Sequence, residues 1–415
     1  MRRSALVWRR RGAISKASMP ILFLIVFIDL IGFGLVIPLM PFYAVRFGAS
    51  PIEMTLLFAT YSLMSMLTAP LWGRLSDRVG RRPVLMGSMG AAALAYLWLA
   101  FASHLWMLFA ARAFAGACAG NIAAAQAYIA DVTTPEKRAK GMGLIGAAFG
   151  LGFIIGPVLG GVIAGNDIAT ADLRTPSLIA AGMSFLAFLG VILVLKESLP
   201  AGYIARSQSR LAAARSAFTR PVLARLLLVF FLVILAFSGM ETTFAWWAMR
   251  QFGWGPRPTG FVFFYVGILS ALMQGGLIGP LIRRFGEERL MLSGLALIAF
   301  GLLALSLARD LPLLLLAVSG LALGMGAMQP SLNSLISRRA ASDEQGEVMG
   351  VAQSVGALSR VLGPLIAGGL FTALGRNSPF LWGAVLVAGA LAIAWQVPRG
   401  IALASGPEPP LGPAA

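Results

Sequence analysis

The sequence predicts an all-α membrane protein of twelve transmembrane helices in two six-helix pseudo-symmetric bundles. Three observations predict it: the composition, the placement of basic residues and an internal repeat. Of 415 residues, 58% are hydrophobic and 12% charged. That is about half the charged share of a soluble domain. Such a chain cannot cover itself with polar surface, so its surroundings must be mostly lipid.

A helix needs about 20 apolar residues to cross a bilayer. Apolar runs between polar breaks give six spans in the first half: Ile21–Tyr43, Met54–Leu71, Pro83–Phe101, Trp106–Tyr128, Met142–Ala164 and Pro176–Leu195. Six more follow: Leu226–Ala245, Thr259–Leu281, Leu290–Leu307, Leu311–Leu332, Val348–Thr372 and Phe380–Gln396. The implied organisation is a basic N-terminus (1–20), an N-terminal bundle (21–195), a linker (196–225), a C-terminal bundle (226–397) and a tail (398–415).

Orientation follows from Lys and Arg. With the N-terminus in the cytoplasm, the inside segments hold 25 of the 33 basic residues and the outside loops hold 6. The other two, Arg112 and Arg360, lie within spans. This asymmetry places both termini inside. It also supports the helix count, because a missed span would scramble the alternation. The first run is too long for a cleaved signal, contains Asp29 and lacks a clear cleavage site, so it reads as a retained helix. The linker arginines 206, 210, 215 and 220, separated by alanines, fit either an amphipathic helix on the inner leaflet or a solvated connection. The proline-rich tail reads as disordered.

The net charge of +17 does not indicate nucleic acid, because the basic residues sit in short loops without a reading module. One cysteine, Cys118, and one histidine, His104, exclude an intrachain disulfide and a multi-histidine metal site. No P-loop, HExxH or GxSxG is present, so neither a cofactor nor ATP is expected. The run Gly141-x-Gly143-x-x-Gly146 matches a dinucleotide pattern but has no strand before it.

Two landmarks recur. Gly73–Gly80, followed by Arg81, Arg82 and Pro83, matches Gly279–Gly286, followed by Glu287, Glu288 and Arg289, at an offset of 206. Gly156-Pro157 with Gly160 and Gly161 matches Gly363-Pro364 with Gly368 and Gly369, 207 residues on. Parallel repeats of this kind are a transporter design in which two halves rock around a central site.

Several residues stand out within this frame. Asp29 lies about 12 Å into the first span at 1.5 Å per residue. A carboxylate there should face the protein interior or a wet cavity. It reads either as a proton-coupling site or as a structural hydrogen-bond acceptor. Glu241 is the other acid well inside a span; it can bind a cationic substrate, carry the proton, or pair with Arg250 near the outer interface. Arg112 needs an anionic partner or carbonyls, with Asp29 and Glu241 as candidate acids, and Arg360 is the second intramembrane cation. Asn121, Gln126, Gln274, Gln329 and Asn333 are candidate polar contacts. Gly152, Gly156 and Gly160 share one helix face suited to close packing, and Pro157 adds a bend.

The chain resembles the major facilitator superfamily at these residues. Gly73-x-Leu-Ser-Asp77-Arg78-x-Gly80-Arg81-Arg82 is similar to its most specific signature. Arg112-x-x-x-Gly116 resembles its buried-arginine motif, and Gly152-x-x-x-Gly156-Pro157-x-x-Gly160-Gly161 looks like the motif of its proton-driven antiporters. Asp29-x-x-Gly32-x-Gly34-x-x-x-Pro38 resembles the twelve-span drug:proton antiporter branch. Ala127 to Asp131, followed by Glu136 to Ala139, is similar to the tetracycline-efflux subgroup. The chain departs from that subgroup at Ala95, in the lack of an acid between Leu290 and Leu307, in a missing span-eight histidine and in Glu241.

The resemblance implies the major facilitator fold in a bacterial-type inner membrane. It implies proton-coupled efflux of an amphipathic small molecule, with tetracycline itself not specified. Its partners would be substrate, protons and lipid, with no nucleic acid, and it would work as a monomer. Asp77, with Arg78, Arg81, Arg82 and Asp131, would form a cytoplasmic gate, Asp77 capping a helix or pairing with an arginine such as Arg138. The alternatives are a metabolite importer or symporter of the same fold and, from another class, a membrane enzyme or non-transporting sensor.

Overall fold

A computed structural model describes the backbone of residues 2–133, 135–199, 216, 218–340 and 344–396, and the same side chains apart from 2–18 and 135–140. Most of the linker, read as either an amphipathic helix or a solvated connection, the tail and the side chain of Arg138 lie outside the described residues.

Twelve helices among the described residues are long and apolar enough to cross a membrane. In the first half they are α1 (Met19–Arg46), α2 (Pro51–Val79), α3 (Arg81–Ala100), α4 (Leu105–Val132), α5 (Gly141–Ala164) and α6 (Arg174–Leu193). In the second they are α7 (Pro221–Phe252), α8 (Pro256–Phe285), α9 (Glu287–Leu307), α10 (Leu311–Arg338), α11 (Gln345–Leu374) and α12 (Ser378–Trp395). The chain is an all-α, multi-pass membrane protein.

The helices overrun the apolar runs because charged residues are good helix formers and the backbone continues into the headgroup zone. The Gly73–Gly80 signature is therefore not a loop. Its first seven residues are the last turns of α2, and Gly80 alone makes the turn, at φ 109°. Helix starts follow ordinary chemistry. Ser50 and Glu53 form a capping box on α2, with Ser50 N–H donating to Glu53 Oε2 at 2.8 Å. Pro51, Pro221 and Pro256 occupy first-turn positions where their missing N–H costs nothing.

Packing shows the two-fold relation. α1 lies on α5 and α6, as α7 lies on α11 and α12; α3 pairs with α6, as α9 pairs with α12. Two seams join the halves, α5 against α8 and α2 against α11.

The α5/α8 seam is closed at one end and open at the other. A Cβ on Gly161 would meet Pro256 O at 2.7 Å, and one on Gly267 would meet Ile154 at 2.6 Å. Arg257 N–H donates to Gly165 O at 3.0 Å. Across the second seam Gly368 abuts Thr55. Following the same α5 stripe back in steps of three and four, Gly150, Gly146 and Gly143 have open space where a Cβ would sit. So do Gly275, Gly276 and Gly279 on α8 and Gly346 and Gly350 on α11. The halves thus meet on the side away from the termini, called the far side below, and separate on the side that bears the termini.

Candidate transport site

Three spans are locally irregular, each beside a residue of interest. α1 tightens into a 3-10 turn at Ile37–Leu39, on Pro38. α8 widens into a π turn at Met273–Leu277, around Gln274, Gly275 and Gly276. α4 breaks at Cys118–Gly120, between a half ending at Ala117 and one starting at Asn121. In lipid a broken helix must satisfy its freed backbone groups inside the protein. Here Trp72 Nε1 donates to Ala117 O at 2.7 Å, Thr68 to Gly116 O at 3.5 Å, and Gly120 N–H to Ser88 Oγ at 3.1 Å. The apolar reading took α4 as one span and missed this break.

The break positions Asp29. Asn121 is the first residue of the second half-helix, and its Nδ2 donates to Asp29 Oδ2 at 2.6 Å. Ser184 on α6 donates to Oδ1 at 2.8 Å. Asp29 is 5% exposed, so a carboxylate is enclosed by two neutral donors, with no cation in ion-pair range among the described residues. Gln126, on the same half-helix, is exposed and makes no hydrogen bond among the described residues.

Arg112 is 3% exposed. Neither Asp29 nor Glu241 pairs with it, and its Nε has no hydrogen-bond partner among the described residues. It lies instead over the Tyr61 ring, its guanidinium carbon 4.3 Å from the centroid, with Phe58 at 5.8 Å. Tyr61 was not singled out from the sequence. Its ring is tilted against Phe33, at 6.0 Å between centroids, and Phe33 lies 6.0 Å from Phe153.

The C-terminal half contributes Glu241 on α7 and Arg360 on α11. They interact electrostatically without a contact under 4 Å, and Tyr61 is within electrostatic reach of both Arg112 and Arg360. Arg250, the alternative partner for Glu241, lies over the Trp246 ring at 5.7 Å. Arg112 and Tyr61 thus touch within the N-terminal half, and Arg360, with Glu241 beyond it, reaches Tyr61 only electrostatically from the C-terminal half, while Asp29 lies one layer inside the N-terminal bundle.

A second cluster sits at the terminus-bearing ends of α2, α3, α4 and α6. Arg81 Nη1 donates to Asp77 Oδ1 at 2.5 Å and Ser76 Oγ at 3.0 Å, and Arg81 Nε donates to Asp131 Oδ2 at 3.0 Å. Glu197, missed because it reads as linker, accepts the backbone N–H of Arg81 at 2.9 Å and of Arg82 at 3.1 Å. The Arg82 side chain caps the end of α6 at Val191 O and Ile192 O. In this open shape Asp77 therefore pairs within its own half, while Arg78 is exposed and Gly73 has open space beside it. The repeat keeps this arrangement with reversed charge: Glu287 pairs with Arg338 at 3.1 Å and Glu288 with Arg339 at 3.7 Å.

Gly80 combines positive φ with a Cβ position already occupied by the Glu197 carboxylate. Gly80→Ala should therefore destabilise the protein by about 1–3 kcal/mol, from backbone strain and displaced Glu197. Thermal unfolding in detergent checks this; an unchanged midpoint would refute it.

The antiporter-like glycines divide their work between two neighbours. Gly152 faces Leu30, Gly156 faces Gly34 and Leu35, and Gly160 abuts Leu35 O, all on α1. Pro157 and Gly161 face Gly260 and Pro256 on α8 instead.

Comparison with known proteins agrees on the type of molecule. The Major Facilitator Superfamily profile matches residues 22–364 and 276–410. The class C tetracycline resistance protein of Escherichia coli is 33% identical over 360 residues, covering 83% of this chain and 87% of that protein. Multidrug resistance protein 2 of Bacillus subtilis is 30% identical over 383 residues, covering 89% and 93%. The crystal structure of the human organic anion transporter MFSD10 superposes with a TM-score of 0.70 at 27% identity, covering 91% and 98%.

Proposed function

The chain belongs to the major facilitator superfamily, whose members carry small molecules across membranes, and we propose that it is a proton-coupled antiporter that exports amphipathic small molecules. The observation that carries this reading is the buried Asp29 carboxylate, held among the described residues by the neutral donors Asn121 and Ser184, one layer behind an interface bearing Glu241. Neutral donors stabilise a carboxylate without cancelling its charge. A proton is then the simplest counter-charge when the site closes away from water.

The similarity to tetracycline and multidrug resistance proteins supports the export direction. The basic-residue asymmetry supports a cytoplasmic terminus side in a bacterial-type inner membrane, which makes the described shape cytoplasm-open. On this reading substrate enters from the cytoplasm between the two halves (21–195 and 226–397), and a proton entering from outside displaces it after the halves rock. One copy holds every residue this cycle uses, so a monomer suffices. Proteoliposomes test it: an outside-acid gradient should drive substrate outward, and no coupled movement would overturn it.

One observation favours a second reading. Arg112 is buried with no acid in ion-pair range among the described residues. A substrate anion would supply its missing counter-charge, and the structural similarity to an organic anion transporter points the same way. The sign of linkage separates the two. A proton bound nearby loosens a cationic substrate, as antiport requires, but tightens an anionic one, as symport requires. Substrate affinity measured at two pH values gives that sign directly.

A further inference from the structure

We propose that a cavity at the far-side ends of α1, α3 and α6 is a binding site for the phosphate headgroup of an anionic phospholipid. The cavity holds about 360 Å³ and is lined by Tyr43, Arg46, Phe47, Phe101, Leu173 and Arg174. It is separate from the interface between the halves. Its walls are fixed: the Tyr43 hydroxyl donates to Leu173 O and shares a 2.8 Å hydrogen bond with Ser177 Oγ.

Two guanidiniums line this one space, and neither has a carboxylate within ion-pair distance among the described residues. The acid beside them, Asp172, uses Oδ1 to accept the backbone N–H groups of Arg174 and Thr175, at 3.0 Å each. Arg174 lies over Phe101, its guanidinium carbon 4.4 Å from the ring centroid, which holds the fork in place. Topology does not account for the pair. Outside loops hold only 6 basic residues, and two of them converge here, against the usual bias. Paired arginines match phosphate geometry.

The surroundings select a lipid as the source of that phosphate. Trp98 and Trp106 are 36% and 63% exposed at this end, the position of an interfacial aromatic belt. Below the cavity Leu94 and Leu97 on α3, and Phe185 and Leu186 on α6, are exposed and give acyl chains an apolar track.

The test uses the full chain in neutral detergent, with phosphatidylglycerol or phosphatidylcholine of matched chains added. Lipid binding is followed by native mass spectrometry and thermal midpoint. Phosphatidylglycerol should bind and raise the midpoint more than phosphatidylcholine. Arg46→Gln with Arg174→Gln should weaken phosphatidylglycerol about tenfold, or about 1.4 kcal/mol. The double lysine variant should keep part of the preference, and Arg309→Gln on the same side should keep all of it. Equal effects of the two lipids, or a preference surviving the double glutamine variant, would overturn the proposal. So would inorganic phosphate or 2-naphthoate reproducing the shift, since the cavity would then take a soluble anion.

Discussion

Valine at position 161 should drive the protein out of the shape described here. The α5/α8 contact is backbone against backbone: a Cβ at Gly161 would lie 2.7 Å from Pro256 O, 3.1 Å from Arg257 Cα and 3.3 Å from Gly260 Cα. None of these atoms can rotate away as a side-chain tip can. Overpacking of this kind costs about 1–3 kcal/mol. Only the far-side-closed shape bears that cost, so the ratio of the two shapes should move by about 5- to 150-fold. A cysteine at position 150, on the open part of the same stripe, reports it in a Cys118→Ser background. Gly161→Val should slow its labelling by an impermeant maleimide, and Gly182→Val, where a Cβ meets open space, should not. Equal labelling rates in all three backgrounds would contradict the seam.

The second large effect is expected at Asp29. Leucine there leaves Asn121 Nδ2 and Ser184 Oγ, both aimed at the carboxylate, without an acceptor. A stranded buried donor costs about 1–3 kcal/mol, so with two of them Asp29→Leu should lose about 2–6 kcal/mol in unfolding stability. Asparagine keeps the shape and one acceptor oxygen, and should lose less. Both should lose proton coupling. The pair of variants separates the two roles of Asp29: coupling intact in Asp29→Asn would leave Asp29 as a structural acceptor only.

Much of this was legible in the sequence. Asp29, Glu241, Arg112 and Arg360 stand out because charge is rare within apolar runs, and the glycine stripe of α5 is written in its four-residue spacing. What was not legible depended on other helices. The break in α4 is apolar throughout, and it is tolerated because Thr68, Trp72 and Ser88 arrive from α2 and α3. Asp29 and Glu241 were the acids the sequence offered Arg112, but its neighbour is the face of Tyr61, and a ring gives no charge signal in sequence. Glu197 was hidden because an acid just past a span reads as linker until α6 brings it to the Gly80 turn. Glu287 and Glu288 stand where the first half has Arg81 and Arg82, and no sequence signal shows that they keep ion pairs by meeting Arg338 and Arg339.

The most direct test of proton-coupled antiport follows proton and substrate together in proteoliposomes, with a cationic amphiphile such as ethidium as the transported probe. Wild-type protein should move protons opposite to ethidium, and Asp29→Asn with Glu241→Gln should abolish the proton movement. Protons moving with the substrate, or coupling that survives the double substitution, would contradict the account.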